Sequence, residues 1–409
     1  TGAVRLTGAF MHYTGDVAEL TGGDDGLVAG VLRMIGSGGL HQRVAYEVNL
    51  FVDLNRTPTL PGGSGAFATV GATSSPYRNP YLAWDFWDSG NVAGQMGIDR
   101  LAVDVDLEPV KISIGRFPIN HSVTLLLTPN DFFAAFSPAA INKIYKPGVD
   151  ALRLSYSPTP MTTLELDAVL GSDPLNSDPR LGPVGEGAPS WRRTALLARV
   201  STVKWAVEWA LLGGKLAERW VVGGTLQGEA GPFGVRAEGH VVFPDGQGVE
   251  GKPEIEREIA VRVAAGADLR WAWRNASVGL EALYQSDGAN RPSRYNADGS
   301  FGQSLYLDRA GGLYPDDIPY LGQIYVGLIG GLDLLPILRL TGLVLLNATD
   351  FSGLGQLFVV YNIADEADFV GGLMVPWGAS YDRDRPRELL PSELGASPIT
   401  AFLEMRFYF

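Results

Sequence analysis

Between Arg43 and Asn55 the chain alternates without a break: Val44, Tyr46, Val48, Leu50, Val52 and Leu54 on one side, Arg43, Ala45, Glu47, Asn49, Phe51 and Asp53 on the other. A period of two places these sets on opposite faces of a β-strand, one apolar and one mostly polar. The last eleven residues behave in the same way: Ile399, Ala401, Leu403, Met405, Phe407 and Phe409 share an apolar face, opposite Thr400, Phe402, Glu404, Arg406 and Tyr408. In the middle, Leu101, Val103, Val105 and Leu107 alternate with Arg100, Ala102, Asp104 and Asp106, and Glu108-Pro109 turns the chain into Val110, Ile112 and Ile114. That is a tight hairpin.

The same reading predicts further strands at 3–13, 151–156, 162–170, 193–203, 205–212, 220–229, 235–243, 258–273, 277–285, 323–334, 337–347, 355–363 and 369–375. The stretch around Gly22, Gly23, Asp24 and Asp25 reads as a connection, and 56–96, rich in Pro, Gly and Ser before the aromatic Tyr81–Trp87 segment, is expected to hold one strand whose place within it the pattern does not fix. Short links (108–109, 157–160, 274–276, 335–336, 364–368) alternate with long ones (118–149, 171–191, 244–257, 287–320, 377–398). Short turns at one end and long loops at the other are the grammar of a transmembrane β-barrel; soluble sandwiches rarely sort their connections so. The expected fold is therefore all-β, one antiparallel up-and-down barrel over residues 1–409, with about 18 strands if three precede Gly97 and 16 if only one does.

Facing supports a barrel over a sandwich. The face opposite the apolar one carries Arg43, Glu47, Asp53, Arg100, Asp104, Asp106, Lys111, Arg153, Glu165, Asp167, Arg193, Arg199, Glu208, Arg236, Glu238, Arg262, Asp268, Arg270, Glu281, Asp333, Arg339, Glu404 and Arg406. A sandwich core would bury apolar residues there, whereas a barrel lumen holds charges against water or against one another. Their mixed signs predict cross-strand pairs. Tyr13, Trp205, Trp220, Trp271, Trp273, Tyr284, Tyr325, Tyr361, Phe407 and Tyr408 stand near strand ends, where interfacial aromatic girdles lie.

Composition agrees. The hydrophobic fraction is 46%, the mean hydropathy is +0.07, and no apolar run is long enough for a membrane helix; alternating strands hide their hydrophobicity from averaging. The absence of cysteine removes disulfides, zinc-thiolate sites and thiol chemistry. A net charge of −13 argues against nucleic acid, and acidic loops explain it. His12, His41, His121 and His240 occur in no metal-ligand spacing, so neither a metal nor another cofactor is expected. His121 and Ser122 are neighbours that would point apart on a strand, and no motif identifies a catalytic pair, so an enzyme is not expected. Gly330-Gly331 and Gly371-Gly372 read as strand glycines that relieve crowding or aid curvature.

The closing strand, with Met405, Phe407 and a final Phe409, resembles the C-terminal signature of bacterial outer-membrane β-barrel proteins. That resemblance implies recognition by the barrel-assembly machinery, closure of the last strand on the first, and a mature chain in the outer membrane of a Gram-negative bacterium after signal-peptide removal, surrounded by lipid and lipopolysaccharide. A second stretch, GRFPINHSVTLLLTPNDFFAAFSPAAINKIYKPGVD from Gly115, is similar to a pattern of porin-like outer-membrane proteins: Gly115-Arg116 at a strand end, the Pro129-Asn130-Asp131 turn, then Pro147-Gly148 before the next strand. His121-Ser122 stands where that pattern carries an aromatic-Gly step.

This connection holds Leu125, Leu126, Leu127, Phe132, Phe133, Phe136, Ile141 and Ile144, too much apolar surface for solvent. It is expected to fold into the barrel mouth over 118–149, with a short helix at 138–144 capped by Ser137, and to bring Arg116, His121, Asp131 and Lys146 to a constriction. A loop packed on the outer rim is the alternative. The function expected is passive diffusion of small hydrophilic solutes or ions; the other reading is an occluded barrel that serves, with envelope protein partners, as the outer-membrane part of a larger complex.

Overall fold

The computed structural model describes residues 1–58, 75–133, 145–172, 175–176, 185–217, 219–244, 259–295, 320–384 and 391–409. Eighteen antiparallel strands form its wall: β1 (Gly2–His12), β2 (Asp24–His41), β3 (Val44–Arg56), β4 (Val92–Asp106), β5 (Val110–Phe117), β6 (Val149–Thr159), β7 (Thr162–Val169), β8 (Ala195–Lys204), β9 (Val207–Leu216), β10 (Arg219–Ala230), β11 (Phe233–Pro244), β12 (Ala260–Arg270), β13 (Ser277–Gln285), β14 (Ile324–Leu335), β15 (Leu338–Asn347), β16 (Ser352–Ala364), β17 (Ala367–Trp377) and β18 (Ile399–Tyr408). Each pairs with the next. β18 pairs with β1 from Ala3↔Tyr408 to His12↔Ile399, which closes the ring. Closure leaves no edge strand within the ring, the condition for strands to cross a bilayer. No helix among the described residues is long and apolar enough to do so.

The eighteen-strand expectation holds, and the sixteen-strand alternative falls. One of the three strands before Gly97 is not where the sequence reading put it. The strand at Ala83–Ser89 pairs with β4 alone and stands outside the ring, whereas the missing wall strand is β2, the longest of all. Its alternation is obscured because both faces are apolar, Leu27, Ala29 and Val31 inside and Val28, Leu32 and Met34 outside, with five glycines between Gly26 and Gly39. The predicted helix at 138–144 lies outside the described residues.

Alternation sorts the wall as predicted. Along β18, Ala401, Leu403, Met405 and Phe407 are exposed outward while Thr400, Phe402, Glu404 and Arg406 are buried. Along β3, Leu50, Val52 and Leu54 face out and Asn49, Phe51 and Asp53 are buried within. Two aromatic residues depart from the girdle expectation: Tyr13 and Tyr325 are buried in inner clusters, because their phase, not their position near a strand end, sets their face. Trp205, Trp220, Trp271, Trp273, Tyr284 and Tyr361 are exposed as expected.

A strap across the barrel interior as the candidate functional site

Between β5 and β6 the described residues 118–133 and 145–148 pack against inward-facing side chains of the wall. The outgoing leg leaves β5 at Phe117 and buries Ile119. The His121 ring then stands 3.0 Å from the Asp167 carboxylate on β7. Further on, the Glu238 carboxylate of β11 accepts hydrogen bonds from the Ser122 hydroxyl (2.5 Å) and the amides of Val123 (2.5 Å), Thr124 (3.1 Å) and Asn130 (3.1 Å). Glu281 of β13 accepts from the amides of Leu125, Leu126 and Leu127 at 2.6, 2.7 and 3.1 Å. Leu126 ends against Gly327 of β14. β5 and β14 are nine steps apart in a ring of eighteen, so the leg crosses to the opposite wall.

The segment then turns. Asp131 donates its amide to the Thr128 carbonyl, and Asn130 donates its side-chain amide to the Gly224 carbonyl of β10 while its carbonyl oxygen meets His240 Nδ1 at 2.9 Å. Phe132 packs edge-on against the His240 ring, and Phe133 against Tyr77. These rings join a buried cluster with Phe117, Ile119 and Leu197, while Leu126 and Leu127 join a second with Leu283, Tyr325 and Leu343. Hydrophobic burial therefore holds the segment at both ends of its crossing.

On the return leg, Tyr145 lies between two guanidinium groups, with Arg33 at 3.6 Å and Arg100 at 4.3 Å from its ring centre. Such cation–π contacts suit a site with little water. Arg100 donates to the Lys146 carbonyl at 3.0 Å and Arg78 to that of Gly148 at 2.9 Å. Lys146 pairs with Asp131, tying return leg to turn. Burial pulls the Lys146 ammonium below its ordinary pKa, and Asp131 opposes that pull.

All four residues expected at the constriction are thus in or beside this segment, and each has a partner. Arg116 is buried, forked onto Asp150 at 2.7 Å and donating to the carbonyls of Ile98 and Asn79. His121 faces Asp167, and Asp131 and Lys146 face each other. The Ser122 hydroxyl goes to Glu238, away from His121.

Several of the other predicted inner charges are paired along the wall. Arg100 meets Glu47 at 2.9 Å, Arg153 meets Asp167 at 2.6 Å and lies near Glu165, Arg199 meets Glu208 at 3.1 Å, Arg262 meets Asp287 at 2.5 Å, and Asp104 takes Ser113 and Lys111. Asp106 pairs in register with Lys111 at the short-turn end, and Arg270 is exposed there beside Asp268. Arg43 lies in the turn between β2 and β3, exposed, so its direction is set by the turn and not by the pleat.

The sequence reading missed one anchor, Asp99. Asn49 pairs with Arg100 and Leu50 with Ile98, so Asp99 bulges out of the ladder and its buried carboxylate takes both Arg33 (2.7 Å) and Arg78 (2.9 Å). Bulges re-aim a side chain in this way, but a strict period of two cannot reveal them. Nearby, at the short-turn end, a cavity of about 470 Å³ is lined by Arg5, Arg33, Arg406, Tyr145, Tyr408 and Glu366. Arg5 and Arg406 share Glu404, as Arg33 and Arg78 share Asp99, and the Tyr145 hydroxyl is buried without a hydrogen-bond partner. Four guanidinium groups and three carboxylates, Glu366 included, crowd this mouth. Among the described residues no cluster of three His, Asp or Glu could hold a metal.

No protein-family model matches the sequence, and no curated protein matches it. Solved structures do match the fold. The chain is similar to OccAB3 of Acinetobacter baumannii (TM-score 0.55, 10% identity, 100% of this chain and 98% of that one). It is also similar to OccK2 (OpdF) of Pseudomonas aeruginosa, determined in complex with glucuronate (0.53, 10%, 99% and 96%), and to a BenF-like porin from Pseudomonas fluorescens Pf-5 (0.53, 10%, 99% and 97%). Likeness at this identity is a likeness of fold, over the full length of both chains.

Proposed function

We propose that this chain is a porin-like channel of a Gram-negative outer membrane, passing small hydrophilic solutes and ions down their gradients. The observation that carries the reading is a closed eighteen-strand wall, apolar outside and charged within, crossed internally by the segment between β5 and β6. The full-length fold likeness to a BenF-like porin and to Occ proteins supports it. On this reading the outer face meets lipid and lipopolysaccharide, Phe409, Phe407 and Met405 belong to a signal for the barrel-assembly machinery, and no bond-making chemistry is involved. His121, Asp131 and Lys146 charge the narrowest part of the path, while Arg116, in the outward phase of Ile112 and Ile114, fastens the strand end to Asp150.

Within that class, acidic solutes fit best. The cavity at the short-turn end brings Arg5, Arg33 and Arg406 together with a buried, unpartnered Tyr145 hydroxyl, donors suited to a carboxylate. OccK2 was captured with such a solute, glucuronate.

Swelling of proteoliposomes tests the function. Vesicles holding the folded protein are expected to swell in isosmotic glucuronate faster than in an uncharged sugar of similar size. Vesicles that stay sealed to both would favour the occluded barrel, for which the apolar clusters around Phe133 and Tyr325 inside the wall are the supporting feature.

A further inference from the structure

Glu238 and Glu281 make no ion pair among the described residues, though each is only 3% exposed. Buried carboxylates are ordinarily paired with a cation. Here their partners are seven donors from nine consecutive strap residues, 122–130, six of them backbone amides. A segment that is neither helix nor strand must find acceptors for its buried amides, and these two side chains supply them. The wall is shaped for this. The register partner of Glu238 on β12 is Ala264 and that of Glu281 is Gly266, so small residues between the two carboxylates leave room for the segment.

We infer that Glu238 and Glu281 are the positioning residues of the constriction: a two-point latch, on strands remote from the strap in sequence, that holds it across the lumen by accepting its amides. The inference rests on the channel reading and deepens it. The acceptors must be carboxylates. One Glu238 oxygen takes Ser122 and Asn130 and the other takes Val123 and Thr124, while in Glu281 one takes Leu125 and the other Leu126 and Leu127. Glutamine, of the same shape, turns one oxygen into a donor that faces one or two N–H groups head-on. Leaving buried donors unmet is costly, so the strap should leave the wall while the barrel, whose ladder is untouched, remains.

The geometry also provides a rescue. A Cβ built on Gly327 lies 3.8 Å from the Leu126 Cβ, the usual separation across a disulfide, and the chain has no cysteine to compete. The test compares single-channel records of the wild type, E238Q/E281Q, and E238Q/E281Q carrying L126C/G327C, oxidised and reduced. The double glutamine variant should show higher and noisier conductance, oxidation of the cysteine pair should return it to the wild-type level, and reduction should release it again. Should the glutamine variant fold and conduct as the wild type does, the latch is refuted. Should the disulfide form in the wild-type background but fail to restore conductance in the glutamine variant, the strap is in place and the carboxylates do not act through it, which equally overturns the inference. Disulfide formation is read by gel mobility, so it reports strap position even if the wild type proves to be no channel. If E238Q/E281Q yields no folded barrel, E238Q alone carries the same comparison, its released Val123 and Thr124 amides predicting a smaller rise that oxidation reverses.

Discussion

Leu126 lies against Gly327 on the wall opposite the strand from which its own segment departs, and a Cβ on that glycine would come within 2.9 Å of the leucine Cδ1. The contact makes Gly327 a seat for the strap. Replacing it with Val should push Leu126 away at a cost of about 1–3 kcal/mol, the usual penalty for overpacking. Limited proteolysis of the folded barrel should then cut the strap faster than in the wild type, and an unchanged cleavage rate would mean that the contact does not hold it.

The facing of the wall can be measured directly. Leu101 is exposed on the outer face, flanked by Val48 and Arg116, while Asp104 faces inward with Ser113 and Lys111. In reversible unfolding from lipid vesicles, Leu101→Arg should cost about 2–4 kcal/mol at mid-depth, and Asp104→Asn should cost much less. Equal costs would put the two faces in the wrong order.

Asp131 and Lys146 are a charge pair within the strap. Under a salt gradient, Asp131→Asn should move the reversal potential toward anion preference and Lys146→Met toward cation preference, with the double variant close to the wild type because the removed charges cancel. Single variants that leave the potential where it was would place the pair away from the ion path.

The ring is closed by its ends: the Phe409 amide donates to the Gly2 carbonyl at 3.0 Å, the Gly2 amide to the Phe409 carbonyl at 2.6 Å, and the Phe409 ring covers Gly2. Deleting Phe409 should lower the amount of heat-modifiable, folded protein in the outer membrane. Undiminished folded protein would separate this residue from assembly.

Much of this was legible in the sequence. Strands such as β3 and β18 announce themselves because one face meets an apolar medium and the other does not, and that contrast survives into composition at every second position. β2 was hidden because its inner face packs apolar clusters as well, so Leu27 and Val31 carry no contrast with Val28 and Leu32. The strap was expected inside from its leucines and phenylalanines, and Arg116, His121, Asp131 and Lys146 were singled out by their position in that segment. Their partners could not be: Asp167, Asp150 and the anchors Glu238 and Glu281 are brought to the strap by barrel closure, and Asp99 by a bulge. Glu238 and Glu281 read in sequence as two more lumen charges, because a side chain bonded to backbone amides leaves no complementary residue to notice.

The central claim is that the segment between β5 and β6 narrows an otherwise open path, and planar-bilayer recording of a strap deletion tests it most directly. Wild-type protein should give stable ohmic steps, and removal of residues 126–140 should raise the single-channel conductance while the barrel still folds. A deletion variant that folds and conducts no better than the wild type, or a wild type that leaves the bilayer sealed, would contradict the account.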